Sequence, residues 1–224
     1  MKVLITGPSY GMGHEIALRF LEEGHEVHGL DLFPCDIVNE NYTHYICDVS
    51  DMSTLPDIEG IQILINNAGM QDSGKDIKVN LIGTMNCTKK YALNNIQICS
   101  VLNQAAAAAS NGLDFPDYVA SKGGVVAYTK WAAKEIAKYG ATCNSLSFGG
   151  VYIDSNYTVI EDPEKWDKIM KQTPLEKWTT VDEVADWVYF MTMYNKSCSG
   201  QDIVIDNLES LNGVFIWDGK GNEA

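Results

Sequence analysis

The feature that most restricts how this chain can fold lies in its first two dozen residues. Lys2-Val-Leu-Ile-Thr6 is a short apolar run, Thr6-Gly-Pro-Ser-Tyr-Gly-Met-Gly13 is a glycine-rich turn, and Ile16, Ala17, Phe20 and Leu21 then recur at helical spacing until Gly24. A short uninterrupted apolar run is what a buried parallel strand requires. Strand, glycine turn and helix in that order form the setting in which backbone can approach a pyrophosphate, with the free N–H groups and positive dipole end of the helix facing it. The spacing is Gly7-x-x-x-Gly11-x-Gly13, not the commoner G-x-G-x-x-G, and a purely structural turn is the competing reading.

The same alternation continues along the chain. His25 to Asp31 reads as a second strand ending in an acid. An acid there accepts hydrogen bonds from ribose hydroxyls and repels a 2′-phosphate. Neither Arg nor Lys occurs in Gly7–Gly13 or just after Asp31, so NAD(H) is favoured over NADP(H). A short connection without helical pattern leads to a strand at about Tyr42 to Cys47, closed by Asp48-Val49. Ile61 to Ile65 is another apolar run, ended by Asn66-Asn-Ala-Gly69, whose small residues let a ligand lie close to the sheet.

Ile77 to Asn94 reads as a helix carrying Asn80, and Ile96 to Ser100 as a fifth strand with Ser100 at its C-terminal end. Val101 to Asp117 is either a flap or an extra helical turn. A helix from Tyr118, a sixth strand over Ala141 to Phe148, a helix-like lid within 151–174, a capping box at Thr180 and Glu183, and a last strand over Gln201 to Asp206 complete the pattern. The expected fold is a single α/β domain over 1–224, a Rossmann-type doubly wound parallel sheet of about seven strands with helices on both faces. The tail, 208–224, contains the apolar stretch Val214 to Trp217, which should pack somewhere.

Bulk properties exclude several classes. A net charge of −14 argues against nucleic acid and anionic membranes as partners. No apolar run approaches the ~20 residues needed to span a bilayer, and the N-terminus lacks the pattern of a signal peptide. Six cysteines are scattered without a CxxC pair or a ligand cluster with the four histidines. Reduced thiols in a cytoplasmic protein without a metal centre are therefore expected.

Tyr118-Val-Ala-Ser-Lys122 is the candidate for the chemistry, with an ordinary helix face as the competing reading, since Tyr and Lys four apart occur on many helices. Residues four apart share a helix face, so the phenol and the ammonium can share a pocket. A phenol of pKa about 10 is a poor base at neutral pH, and moving it to about 7 needs roughly 4 kcal/mol of differential stabilisation, which a nearby cation can supply.

The order of these motifs resembles the short-chain dehydrogenase/reductase family, from Met1 to about Asn207. Thr6 to Gly13 is similar to its TGxxxGxG loop, Asn66 to Gly69 to its NNAG, Tyr118 to Lys122 to its YxxxK, and Pro174 to Asp206 to its closing stretch. The resemblance implies a catalytic set of Asn80 holding a water in a proton relay, Ser100 binding the substrate oxygen, Tyr118 transferring the proton, and Lys122 binding the nicotinamide ribose. It implies cofactor contacts at Gly7, Ser9, Gly11, Met12, Gly13, Asp31, Asp48, Val49, Asn66, Ala68, Gly69, Tyr118, Lys122, Gly149, Val151 and Ile153. It also implies hydride transfer to or from a small-molecule carbonyl or alcohol, and a homodimer or homotetramer. This chain departs from the family in five places. Asn66 to Asn80 is about ten residues shorter than usual, and Asp31 to Asp48 is too short for the usual helix. Phe148-Gly149 replaces Pro-Gly, Ile153 stands where a threonine is usual, and Ser100 to Tyr118 is about five residues longer than usual. A non-catalytic dinucleotide sensor is the alternative, but it would not need the proton relay. An epimerase or dehydratase would favour a TGxxGxxG loop and a larger C-terminal part.

Overall fold

A computed structural model describes residues 1–113 and 115–211. In chain order the elements are β1 (Lys2–Thr6), α1 (Gly11–Glu22), β2 (Glu26–Asp31), β3 (Tyr42–Ile46) and β4 (Ile63–Asn66). A π-helical turn, Ile77–Gly83, runs into α2 (Thr84–Tyr91). Then come β5 (Ser100–Gln104), α3 (Ala108–Asn111), α4 (Pro116–Ile136) and β6 (Thr142–Phe148). The chain continues through α5 (Tyr157–Ile160), α6 (Pro163–Gln172) and α7 (Val181–Tyr189) to β7 (Asp202–Ile205). The strands form one sheet in the order β3-β2-β1-β4-β5-β6-β7, and every pairing is parallel.

Strand β1 shows why helices cover both faces. Val3 and Ile5 point to one side, where they meet Ile16 and Phe20 of α1 and Val184 and Val188 of α7. Leu4 points to the other, with Cys87 and Tyr91 of α2 and Ala132 and Ile136 of α4. All three strand residues are fully buried, and truncating one such side chain to alanine costs about 2–5 kcal/mol. Helix α7 opens with the expected capping box between Thr180 and Glu183.

The strand order reverses between β1 and β4, and their C-terminal ends, Thr6 and Asn66, are in register. In open parallel sheets ligands bind in the crevice at such a switch point. The connection from β2 to β3 contains no helix, as its sequence suggests.

The fifth strand differs from expectation. It runs from Ser100 to Gln104, so Ser100 opens the strand and Gln104 ends it. The apolar run Ile96 to Ser100 misleads because Ile96 is exposed in a turn, closed by Ile98 N–H donating to the Asn95 carbonyl. The strand itself carries Asn103 and Gln104 in buried positions. Asn103 is tolerated there because Asn66 Nδ2 donates to its Oδ1 at 2.8 Å and its own Nδ2 donates to Thr129 Oγ1 at 2.9 Å. Beyond β5, Ala105 to Ala108 are buried and α3 follows, so the segment after the strand is an extra helical turn. Val214 to Trp217 lies outside the described residues.

Candidate functional site

The glycine turn closes on the end of β4. Gly7 takes φ +73°, and a Cβ on Gly13 would fall 2.0 Å from the Gly7 carbonyl oxygen. Only glycine permits that approach. Asn67 then fastens the turn: its Nδ2 donates to the carbonyls of Thr6 and Gly7 at 3.0 and 3.1 Å. Thr6 Oγ1 in return accepts from the N–H groups of Asn67 and Ala68. Helix α1 begins at Gly11 with no side chain capping its first N–H groups. A cradle of close-packed glycine backbone and uncapped helix N–H groups fits a pyrophosphate.

The other expected cofactor contacts divide into those at the crevice and those turned away. Asp31 ends β2, with one carboxylate oxygen accepting from Ser9 N–H and the other from Phe33 N–H. Ser9 Oγ donates its proton to the Phe33 carbonyl, which leaves its oxygen only as an acceptor toward a ligand. The Ile153 side chain covers Gly11, at 3.6 Å from where a Cβ would stand. Met12 meets Gln104, whose Nε2 donates to the thioether sulfur. Asp48 accepts from Ser50 N–H, and Val49 is buried. Gly149 pairs through its N–H with Ile205, and Val151 bridges to Thr179.

Asn66 does not line the crevice with its side chain. It is buried and donates to Thr88 and Asn103, knitting β4 to α2 and β5. Its neighbour Asn67, which sequence reading passed over, faces the turn and keeps a buried Oδ1 without a partner. The doublet in the motif hides which asparagine points where; the strand's alternation of sides is the signal that separates them.

Asn80, Lys122 and Tyr118 come together at the C-terminal edge of the sheet. A Cβ on Gly69 would lie 3.3 Å from Asn80 Oδ1 and 3.4 Å from Lys122 Nζ, so both heads converge on that glycine. Asn80 sits in the π-helical turn, almost fully buried. It accepts from Met70 N–H at 2.7 Å and donates to the Met70 carbonyl and to Ser121 Oγ. Ser121 Oγ donates to the Tyr118 carbonyl at 2.7 Å, which ties that turn to the first turns of α4. Lys122 Nζ donates to the Gln104 carbonyl at 2.8 Å and lies 5.7 Å from the centre of the Tyr118 ring. Tyr118 is half-buried.

Burial lowers the Lys122 ammonium to about 8, against an opposing pull from Asp76. Asp76 is the other residue that the sequence did not disclose. It lies one turn before Asn80, 1% exposed, with Oδ2 accepting from the N–H and hydroxyl of Ser73 and Oδ1 unpartnered. Burial, the largest single effect, opposes its ionisation, and the hydrogen bonds from Ser73 together with nearby backbone N–H groups hold the carboxyl below its usual range.

Ser100 does not join this group. It lies at the start of β5, while Lys122 is anchored at the strand's last residue, roughly 13 Å away at about 3.3 Å per residue. Its hydroxyl is buried against Thr142 Oγ1 at 3.1 Å. The stretch that follows the C-terminal end of β5 consists of Ala105 to Ala109, which present only methyl groups. The signal was in the spacing: the excess of about five residues between Ser100 and Tyr118 marks Ala105 as the position at the family's usual distance.

A family profile described as enoyl-(acyl carrier protein) reductase matches residues 7–207. The chain belongs to the short-chain dehydrogenase/reductase family. Glucose 1-dehydrogenase of Gluconobacter oxydans is 27% identical to it over 96% of this chain and 93% of the relative. Among solved structures, a protein of Agrobacterium tumefaciens described as a 2-deoxy-D-gluconate 3-dehydrogenase, with NADP bound, superposes with a TM-score of 0.86. It is 24% identical, over 94% of this chain and 96% of that one. A 3-oxoacyl-[acyl-carrier protein] reductase of Brucella melitensis with NAD bound gives 0.79 at 23% identity, over 92% and 89% of the two chains. The short-chain dehydrogenase/reductase fold is thus shared, and the chain is an oxidoreductase of that family. Among the described residues no helix is long and apolar enough to cross a membrane.

Proposed function

We propose that this chain is an NAD(H)-dependent oxidoreductase acting between a carbonyl and the corresponding secondary alcohol of a small molecule. The convergence of Lys122 and Asn80 on Gly69, with Tyr118 one helical turn before the lysine, carries the reading. When bound, the nicotinamide supplies or accepts the hydride. The chain's own residues handle the proton. Tyr118 gives its phenolic proton to the substrate oxygen in reduction and takes it back in oxidation. Lys122, held by Gln104, stabilises the phenolate by charge and offers its remaining N–H donors to the ribose. Asn80 fixes the Met70 backbone beside Gly69, and with it the wall against which a water can hand protons to solvent.

Asp31 supports NAD(H) over NADP(H). Its carboxylate is held at the end of β2 by two backbone N–H groups, and no Lys or Arg lies between Leu32 and Asn41 to balance a 2′-phosphate. The absence of a hydroxyl in Ala105 to Ala108 leaves Tyr118 as the group that grips the substrate oxygen on that side. Residues 151–174 form the lid, where Tyr152 and Trp166 pack ring against ring at 5.5 Å and both rest on Trp178, just beyond it, at 6.3 and 5.1 Å. A homodimer through α2 and α4 is supported by the exposed Met85 of α2 and Trp131 of α4. The testing experiment is a fluorescence titration with NADH and NADPH, followed by a screen of carbonyl substrates with the tighter cofactor. Failure to bind either dinucleotide would leave this reading without its cofactor.

A further inference from the structure

The cysteines, scattered in sequence, are not scattered from histidine in space. His14, Cys35 and Asp36 each place one ligand atom within 4.8 Å of the other two, which corrects the expectation that no cysteine shares a ligand cluster with a histidine. His14 stands on α1 just beyond the glycine turn. Cys35 and Asp36 lie in the extended connection after β2, which the missing helix has shortened until it lies across α1. His14 Nε2 is 3.1 Å from Asp36 Oδ1. Cys35 Sγ, half-buried, reaches the Pro8 carbonyl at 3.5 Å. A surface cavity of 250 Å³, lined by His14, Leu18, Asp36 and Asn39 among others, opens beside them.

We propose that His14, Cys35 and Asp36 form a zinc site with one coordination position left for water or an added ligand. The donor set is one imidazole nitrogen, one thiolate and one carboxylate oxygen. That mixture suits a borderline-soft tetrahedral ion, with bonds of about 2.0–2.3 Å, and does not suit calcium or magnesium, which take oxygen. Ligand atoms around such an ion stand roughly 3.5 Å apart, so the cluster closes by about an ångström. The irregular backbone of the connection can supply that movement. Binding replaces the Cys35 S–H bond with a sulfur–zinc bond and releases the proton to solvent, and the His14 to Asp36 hydrogen bond gives way to two metal bonds. Affinity therefore rises with pH. The ion would clip the β2–β3 connection to α1 beside the residues that flank Asp31.

The test uses the full-length chain, stripped of metal and reduced, titrated with Co(II) as a spectroscopic stand-in. A thiolate-to-cobalt charge-transfer band that saturates at one equivalent and is displaced by Zn(II) is expected. Cys35→Ser should abolish the band, and His14→Ala should weaken binding at least tenfold, both with metal-free unfolding temperatures close to that of the unaltered protein. No thiolate band, or a band that survives Cys35→Ser and disappears with Cys99→Ser or Cys198→Ser, would overturn the assignment. None of these readouts depends on cofactor binding or turnover.

Discussion

Lys122 Nζ donates to the backbone carbonyl of Gln104 at 2.8 Å, so the last residue of β5 holds the head of the ammonium that faces Tyr118. One hydrogen bond thereby aligns a helix side chain with the sheet edge. It also leaves the ammonium buried, and that burial makes the site sensitive to pH.

Lys122 titrates at about 8 in the folded protein, against an ordinary value of 10.5. Between these values the unfolded chain holds more protons than the folded one, so stability rises with pH across that window. Below about 8 both states carry the proton and the cost of burying the charge is present in full. The unaltered protein should gain up to roughly 3 kcal/mol relative to Lys122→Met between pH 8 and 10.5. Denaturant midpoints measured as a pH series on both proteins check this. In Asp76→Asn the opposing pull is lost, and the rise should begin at lower pH. An onset unmoved by that substitution would show that Asp76 does not act on Lys122.

Tyr118→Phe should lower turnover by at least about 10²-fold, the usual scale of a lost proton donor, with NADH affinity changed only a fewfold. Stopped-flow turnover and fluorescence titration separate the two effects. Undiminished turnover at saturating substrate would end the proton-transfer role.

Asp31→Ser should narrow the preference for NADH over NADPH and weaken NADH itself, because the N–H groups of Ser9 and Phe33 lose their acceptor along with the ribose. Comparing both dissociation constants in both proteins decides it. Equal affinities in the unaltered chain would remove the basis of the preference.

Ser100→Ala should leave turnover within twofold, since the hydroxyl bonds Thr142 at the far end of β5. Stability should fall by about 1 kcal/mol, the net worth of one hydrogen bond. A large loss of turnover with unchanged stability would return Ser100 to the reaction.

The sequence disclosed what depends on apolar periodicity and on glycine. Val3 to Ile5, the turn at Gly7 to Gly13 and the box at Thr180 and Glu183 could be read directly, because each is a local arrangement with a local cause. What it concealed depends on satisfied polarity and on distance along the chain. The sequence pattern sets strand β5 several residues early because Asn103, buried and bonded to Asn66 and Thr129, does not look like strand interior. That shift carried Ser100 into the wrong end of the crevice. Asp76 was invisible because a carboxylate before a helix reads as a solvated residue unless its burial is known. His14 and Cys35 are brought together only by the shortened path between β2 and β3.

The wide turn at Ile77–Gly83 makes the length of that segment matter more than its composition. Each turn there holds about one residue more than the α-helix it enters, and Asn80 sits within it. Deleting a single residue would return the segment to α-helical spacing, which spares the flanking turns but moves the residues inside the wide turn around the axis. The Asn80 amide would leave Gly69 and Ser121. Side-chain changes at exposed Ile77 or Ile82 should be absorbed, whereas a change in residue count should not.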